Sequence, residues 1–178
     1  MSDSMPRVIM PAEFQGRNTV VLARWLLGKM LVRTNAGERE LHLITEVEAY
    51  HGEADLACHA SKGRTARTEV MYQAGGCWYV YLCYGLHEML NLVTGPAGHP
   101  AAVLIRGLAQ VNGPGRLTKR LGIDRRLNGA SAVPASGLHL EDHGIKLTRT
   151  QLSRGPRIGV DYAGPVWSAK PWRFWVKL

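Results

Sequence analysis

The run GCWYVYLCYGLHEMLN, Gly76 to Asn91, constrains the fold more than any other stretch, because Trp78, Tyr79, Tyr81 and Tyr84 crowd one short segment of strand-forming residues. Side chains alternate faces along a strand, so Tyr79, Tyr81 and Cys83 are expected on one side and Trp78, Val80, Leu82 and Tyr84 on the other. One face could line a pocket for a flat ligand while the other packs a core. Aromatic residues also favour ordinary half-buried strands, so the segment alone leaves both readings open.

A second alternating stretch, LHLITEVEAY, predicts a strand with Leu41, Leu43, Thr45, Val47 and Ala49 on one face and His42, Ile44, Glu46, Glu48 and Tyr50 on the other. A helix is expected from Asn18 to Leu31, capped by Asn18 or Thr19, with Gly28 as a weak point. His51 to Ala74 is polar and rich in small residues, and reads as a loop with one helical turn. Leu86 to Leu90 is expected as a short helix or turn. AAVLIRGL is a buried strand ending in Arg106, and GPGRLTKRLGI a helix exposing Arg116, Lys119 and Arg120, followed by Arg125 and Arg126. GLHLEDHGIKLT, RGPRIGV and KPWRFWV read as three short strands.

The 178 residues suit one domain, residues 1–178, able to bury roughly 70% of its unfolded surface. With 22 Lys and Arg against 14 Asp and Glu, the net charge of +8 makes a polyanionic partner plausible without requiring one. Cys58, Cys77 and Cys83 form no C-x-x-C pair and suggest a reducing compartment. MSDSMPRVIM lacks the pattern of a secretory leader, and no apolar run approaches the ~18 residues that span a bilayer. A soluble, cytoplasmic protein is expected.

Glu46 and Glu48, with Tyr50 on the same face, could supply a general base beside an aromatic platform; spacing does not choose between the two glutamates. Both could equally be strand charges paired with arginines. His59 could be a structural histidine or a stacking face for a base. KGRTAR offers Lys62, Arg64, Thr65 and Arg67 as phosphate donors or as a solvated loop. Phosphate-loop, zinc-protease, nucleophile-elbow and zinc-deaminase signatures are missing from the sequence.

EVEAY at Glu46 to Tyr50, HASKGRTART at His59 to Thr68, WYVYLCYG at Trp78 to Gly85, Asn91, and AAVLIRG at Ala101 to Gly107 together resemble the alkyladenine (3-methyladenine) DNA glycosylase family. The likeness runs along nearly the whole chain, through GPGRLTKRLGI, RGPRIGV and PWRFWVK. It implies an α+β fold: a single domain with a curved, mainly antiparallel β-sheet, flanking helices and a protruding β-hairpin that enters the DNA minor groove. It implies excision of alkylated or deaminated purines, typically 3-methyladenine, hypoxanthine and ethenoadenine, flipped out of double-stranded DNA because the glycosidic carbon is unreachable in the stack.

By the same resemblance Glu48 is the general base for a water attacking C1′, and Arg106 helps hold that water, with backbone of the RIGV segment as a further acceptor. Arg106 would also help keep Glu48 ionised. Tyr50, His59 and Tyr81 would sandwich the base, and Asn91 at the pocket floor would clash with the amino group of guanine. Tyr84 would wedge into the vacated helix, with Leu86 and His87 as weaker groove contacts. Arg64, Thr65 and Arg67 would grip phosphates, extended by the basic helix. No lysine replaces the water, which implies a monofunctional enzyme leaving an abasic site. No metal or organic cofactor, no membrane and a monomer working at the nucleoid are implied. Trp78, Cys77 and Tyr72 around the pocket strand, and Glu88 and Met89 before Asn91, depart from the family and bear on which lesions fit. The rivals are a non-catalytic nucleic-acid-binding module of the same fold and a hydrolase of free nucleosides.

Overall fold

The computed structural model describes residues 5–177. Part of the N-terminal stretch read above for a leader therefore lies outside the described residues. Ten strands are present among them: β1 Arg7–Val8, β2 Met30–Asn35, β3 Glu38–His51, β4 Trp78–Cys83, β5 His87–Val93, β6 Ala101–Leu108, β7 Val111–Asn112, β8 Leu138–Asp142, β9 Leu152–Gly155 and β10 Arg173–Val176. Three α-helices accompany them, α1 Thr19–Leu26, α2 Pro114–Arg120 and α3 Gly164–Ser168. All paired strands run antiparallel in the order β1-β8-β2-β3-β6-β5-β4, with β7 added to β6, and β10 joining β3 to β9. This is the expected α+β class. No described helix is long and apolar enough to cross a membrane.

The long strand β3 organises the sheet. Glu38 to Leu43 pair with β2, and beyond Ile44 the strand pairs with β6 on one side and, through Glu46 to Glu48, with β10 on the other. Along the β6 side, Ile44 faces Leu108, Glu46 faces Gly107 and Val47 faces Ile105. Thr45 on β3 and Arg106 on β6 are thus each an extra residue in the ladder. Such bulges break alternation and re-aim side chains. The expected faces of β3 are corrected accordingly: Ile44 lies in the main core with Val47 and Ala49, while Glu46, Glu48 and Tyr50 keep the opposite side.

That core gathers Leu22, Leu26, Trp78, Val80, Leu90, Leu92, Val103, Ile105 and Leu117 between the sheet and α1 and α2. Trp78 is fully buried in it and donates Nε1–H to Leu138 O at 2.9 Å. It belongs to the core face and leaves the pocket strand's other side to the tyrosines. Asn18 caps α1, its Oδ1 accepting from Val20 N at 2.9 Å. The helix ends before Leu31 as first read, because Leu27 is extended and Gly28 takes φ +83°, after which β2 begins.

Three further readings change. Leu86 to Leu90 is not helical; His87 onward forms β5, whose alternation packs Leu90 and Leu92 inward. The loop after His51 holds two 3-10 turns, His59–Lys62 and Glu69–Tyr72, rather than one. RGPRIGV is a strand only as far as Gly155; beyond Pro156 its polar groups are bonded to Asp55 and Glu48 instead of a ladder.

Candidate active site

Strand register alone assembles most of the site. Residues directly opposite in an antiparallel pair share a face, and Glu48 faces Leu104, which faces Asn91, which faces Tyr79; Tyr50 faces Ala102 and Tyr81 faces Met89. Glu48, Tyr50, Asn91, Tyr79 and Tyr81 therefore occupy one surface of four neighbouring strands. Arg106, two residues beyond Leu104 on β6, falls on the same surface. On the other flank of β3, Arg173 pairs with Glu48 and Trp175 with Glu46.

Glu48 is fully buried. Tyr50 Oη–H donates to its Oε2 at 2.8 Å, and Ile158 N–H donates to its Oε1 at 2.7 Å. The Ile158 amide of the RIGV segment thus acts at the carboxylate as a donor. Arg106 Nε stands 3.5 Å from Glu48 Oε1 and donates to Glu46 Oε1 at 3.1 Å, and Arg173 Nε donates to the same Glu46 oxygen at 2.6 Å. Burial raises the Glu48 pKa above the ordinary carboxylate value, against the opposing pull of Arg106, Ile158 and the Tyr50 hydroxyl. Arg106 favours the ionised form, as expected, but desolvation outweighs it, and the result is a stronger base. Burial and the adjacent Glu48 charge push the Tyr50 phenol well above its ordinary value, so it remains a donor.

Tyr50 and Tyr81 pack against one small cluster that includes Cys58, Ala60, Met71, Cys77, Tyr79 and Val93. The His59 ring stands edge-on to Tyr81 with centroids 4.6 Å apart, and His59 Nδ1 is 3.0 Å from Tyr79 Oη. Burial, aided by the positive charges of Arg67 and Lys62, lowers the His59 pKa to about 4, so the imidazole is neutral at physiological pH. Asn91 is buried, and its Nδ2 donates to Tyr79 O at 3.1 Å and Met89 O at 3.3 Å, which fixes the amide.

Tyr84 lies elsewhere. It is not the last residue of the strand but the first of the β4–β5 turn, at φ +50° with Gly85 at +68°, and it is 90% exposed. Successive left-handed residues match the twist of a tight hairpin and favour Asn-Gly or Gly; an exposed tyrosine there is strained. Leu86 beside it is also exposed.

The KGRTAR residues divide. Arg64 is exposed and gives two hydrogen bonds to Glu69, at 2.8 and 2.6 Å. Thr65 is engaged with Thr68, its N–H donating to Thr68 Oγ1 at 2.8 Å. Arg67 is exposed as well, but its guanidinium lies 5.0 Å from the Tyr81 ring centroid. Sequence reasoning missed the support beneath Tyr50. Arg157, from the loop after β9, donates to Asp55 at 2.6 and 2.9 Å and to Ala49 O at 2.9 Å, with both side chains of the pair fully buried. Its guanidinium lies 4.8 Å from the Tyr50 ring centroid. Arg173 likewise has no role in the sequence reading; its place in PWRFWVK, a segment that resembles the family, was the available signal. Among the described residues no group of three His, Cys, Asp or Glu side chains is arranged to hold a metal ion.

The family "Methylpurine-DNA glycosylase (MPG)" matches residues 13–112 and 108–178. A protein of Myxococcus xanthus, named "Putative 3-methyladenine DNA glycosylase", is 48% identical, with 94% of this chain and 90% of the relative covered. Proteins of the same name from Psychrobacter cryohalolentis and Legionella pneumophila (strain Lens) are 43% and 42% identical, with 96% and 94% of this chain and 92% and 94% of the relatives covered. The two matched segments take in every residue gathered around Glu48, and the chain belongs to the methylpurine-DNA glycosylase family.

Proposed function

We propose that the protein is a monofunctional DNA glycosylase that rotates damaged purines, of the 3-methyladenine, hypoxanthine and ethenoadenine class, out of duplex DNA and hydrolyses the N-glycosidic bond. The observation that carries this reading is Glu48: a buried carboxylate made more basic by its surroundings and bonded to Tyr50, which packs against a cluster of aromatic rings. The flipped base stacks among Tyr50, His59 and Tyr81. As the bond from C1′ to the base breaks, its electron pair leaves with the base, and positive charge grows on the sugar beside the Glu48 carboxylate. A water gives its oxygen to C1′ and its proton to Glu48. Both Glu48 oxygens already accept one bond, and each retains a lone pair for that water. Arg106 orients it from the side.

Asn91, whose NH₂ is tied to two backbone carbonyls, is a fixed wall that the amino group of guanine meets as a clash. Arg64, Thr65 and Arg67, with the basic residues of α2, grip phosphates; Arg64 does so by exchanging its exposed pair with Glu69 for a phosphate oxygen. The work is done by a single copy on double-stranded DNA in the cytoplasm.

Single-turnover release of hypoxanthine and ethenoadenine from defined duplexes tests the reading. Strand breaks that appear only after alkali are expected, together with no borohydride trapping of enzyme on DNA. Release from none of these or a methylated duplex would leave a binding module of the same fold, and trapping would remove the monofunctional assignment.

Tyr84 is the wedge that fills the space left by the flipped nucleotide, and stacking of this kind contributes ~1–3 kcal/mol. Tyr84→Gly separates the ring from the turn, because glycine accepts the left-handed backbone without strain. The variant should melt within a few degrees of wild type or above it, while binding hypoxanthine-containing duplex roughly 5–100-fold more weakly. Unchanged affinity in a filter or anisotropy titration would remove the wedge role.

A further inference from the structure

We propose that Glu46 is a positioning residue that holds the Arg106 guanidinium between two carboxylates, and that Arg173 locks Glu46 in the place from which it does so. The inference rests on the reading of Glu48 as base. Two bulges bring the groups together. The extra residue Thr45 sets Glu46 opposite Gly107, and the extra residue Arg106 projects toward β3. A Cβ at position 107 would stand 3.1 Å from Glu46 Cβ, so glycine lets the two strands close at that point. Glu46 is itself buried, with one oxygen taking both Arg106 Nε and Arg173 Nε. The same Arg106 nitrogen is farther from Glu48, 3.5 Å against 3.1 Å.

Two consequences follow for the chemistry. A guanidinium drawn toward Glu46 neutralises Glu48 less completely, and the negative charge of Glu46 acts on Glu48 in the same sense. Glu48 is then a better proton acceptor than a carboxylate paired with its own arginine would be. Arg106 is also held through its Nε alone, which leaves its terminal N–H groups uncommitted to either glutamate.

The groups facing Glu48 are Tyr50 and Glu46 from its own strand, Arg106 from β6, Tyr81 from β4 and Arg157 and the Ile158 amide from the loop after β9. On β10, Arg173 is its register partner. Glu46→Gln removes one negative charge from this set, and Arg173→Gln one positive charge that restrains Glu46. The two variants should therefore move Glu48 in opposite directions, which a merely structural role would not do.

The experiment is single-turnover release of hypoxanthine from a defined duplex across pH 4 to 8 for wild type, Glu46→Gln, Arg173→Gln and Glu48→Gln, with duplex binding measured alongside. For Glu46→Gln the acid limb is expected to move down by roughly half to one pH unit, with a plateau rate about 3–30-fold below wild type. For Arg173→Gln the limb is expected to move up. Limbs that coincide with wild type in both variants, or move the same way, would overturn the proposal while leaving Glu48 as base. Loss in Glu46→Gln as deep as in Glu48→Gln, with binding intact, would overturn it together with that choice of base. If Glu46→Gln does not fold, the sign of the Arg173→Gln shift decides. Absence of release by wild type would instead sink the functional reading itself.

Discussion

Replacing Glu48 with glutamine is expected to produce a protein that is catalytically dead and more stable than wild type. Glutamine keeps the size of the side chain and an oxygen to accept from the Ile158 amide, but it takes no proton from water and places no negative charge beside the sugar. Loss of a general base alone removes about 10²–10⁴-fold in rate, and loss of the charge adds to it. Binding to damaged duplex should persist, since the ring and phosphate contacts are untouched.

The gain in stability comes from the same burial. Because Glu48 holds its proton more tightly in the folded chain than in the unfolded one, its contribution to stability is complete below the ordinary carboxylate pKa. It is lost as the pH rises through the raised folded value. At pH 7 the ionised, desolvated carboxylate is a net cost, and the neutral amide removes it. Tm should rise at neutral pH, by roughly 2–4 °C for each kcal/mol relieved in a chain of this length, and the difference from wild type should shrink toward pH 4. A lowered Tm at pH 7, or single-turnover rates within tenfold of wild type, would contradict the assignment. Wild-type activity should fall on the acid side at a pH above the ordinary carboxylate range, because the base must be unprotonated to act.

The second large effect concerns Asp55. Its carboxylate, itself fully buried, takes both Arg157 N–H donors and the amides of His51 and Ala57. Asp55→Ala leaves the Arg157 guanidinium buried without its counter-ion, which costs about 3–5 kcal/mol. The resulting fall in Tm is roughly 6–20 °C. Because Arg157 precedes Ile158 and lies against the Tyr50 ring, the loop that delivers the Ile158 amide to Glu48 should loosen as well. Excision should then fall even at temperatures where the variant remains folded. Thermal melts with single-turnover rates at 15 °C check both halves. A variant with wild-type rate and Tm would show that the pair is dispensable.

Much of this was legible in the chain, for physical reasons that differ by residue. Alternation marks Tyr79 and Tyr81 against Trp78 and Val80, and the structure separates them into site face and core. Glu46 and Glu48 fall on one face for the same reason. The bulges were not read, because the sequence goes on alternating through Thr45; Gly107 inside a strand pattern was the local sign of one. Tyr84 looked like one more strand residue, since nothing in a tyrosine announces a left-handed backbone, although the glycine after it fits a hairpin turn. The Arg157–Asp55 pair joins residues 102 positions apart, and no local pattern reports such a contact.

The placement of both glutamates on β3 has a dynamic consequence. That strand is flanked along its length, by β2, β6 and β10, so separating Glu48 from its neighbours means opening the middle of the sheet. The hairpin tip bearing Tyr84 has β4 and β5 as its only ladder, and four exposed residues from Tyr84 to His87. Regions with few buried contacts open at low free energy, whereas central strands open only with the whole molecule. The exposed tip and the buried carboxylates thus lie at opposite ends of the stability range within one chain, so under the proposed function the tip would probe base pairs while the carboxylates keep their geometry.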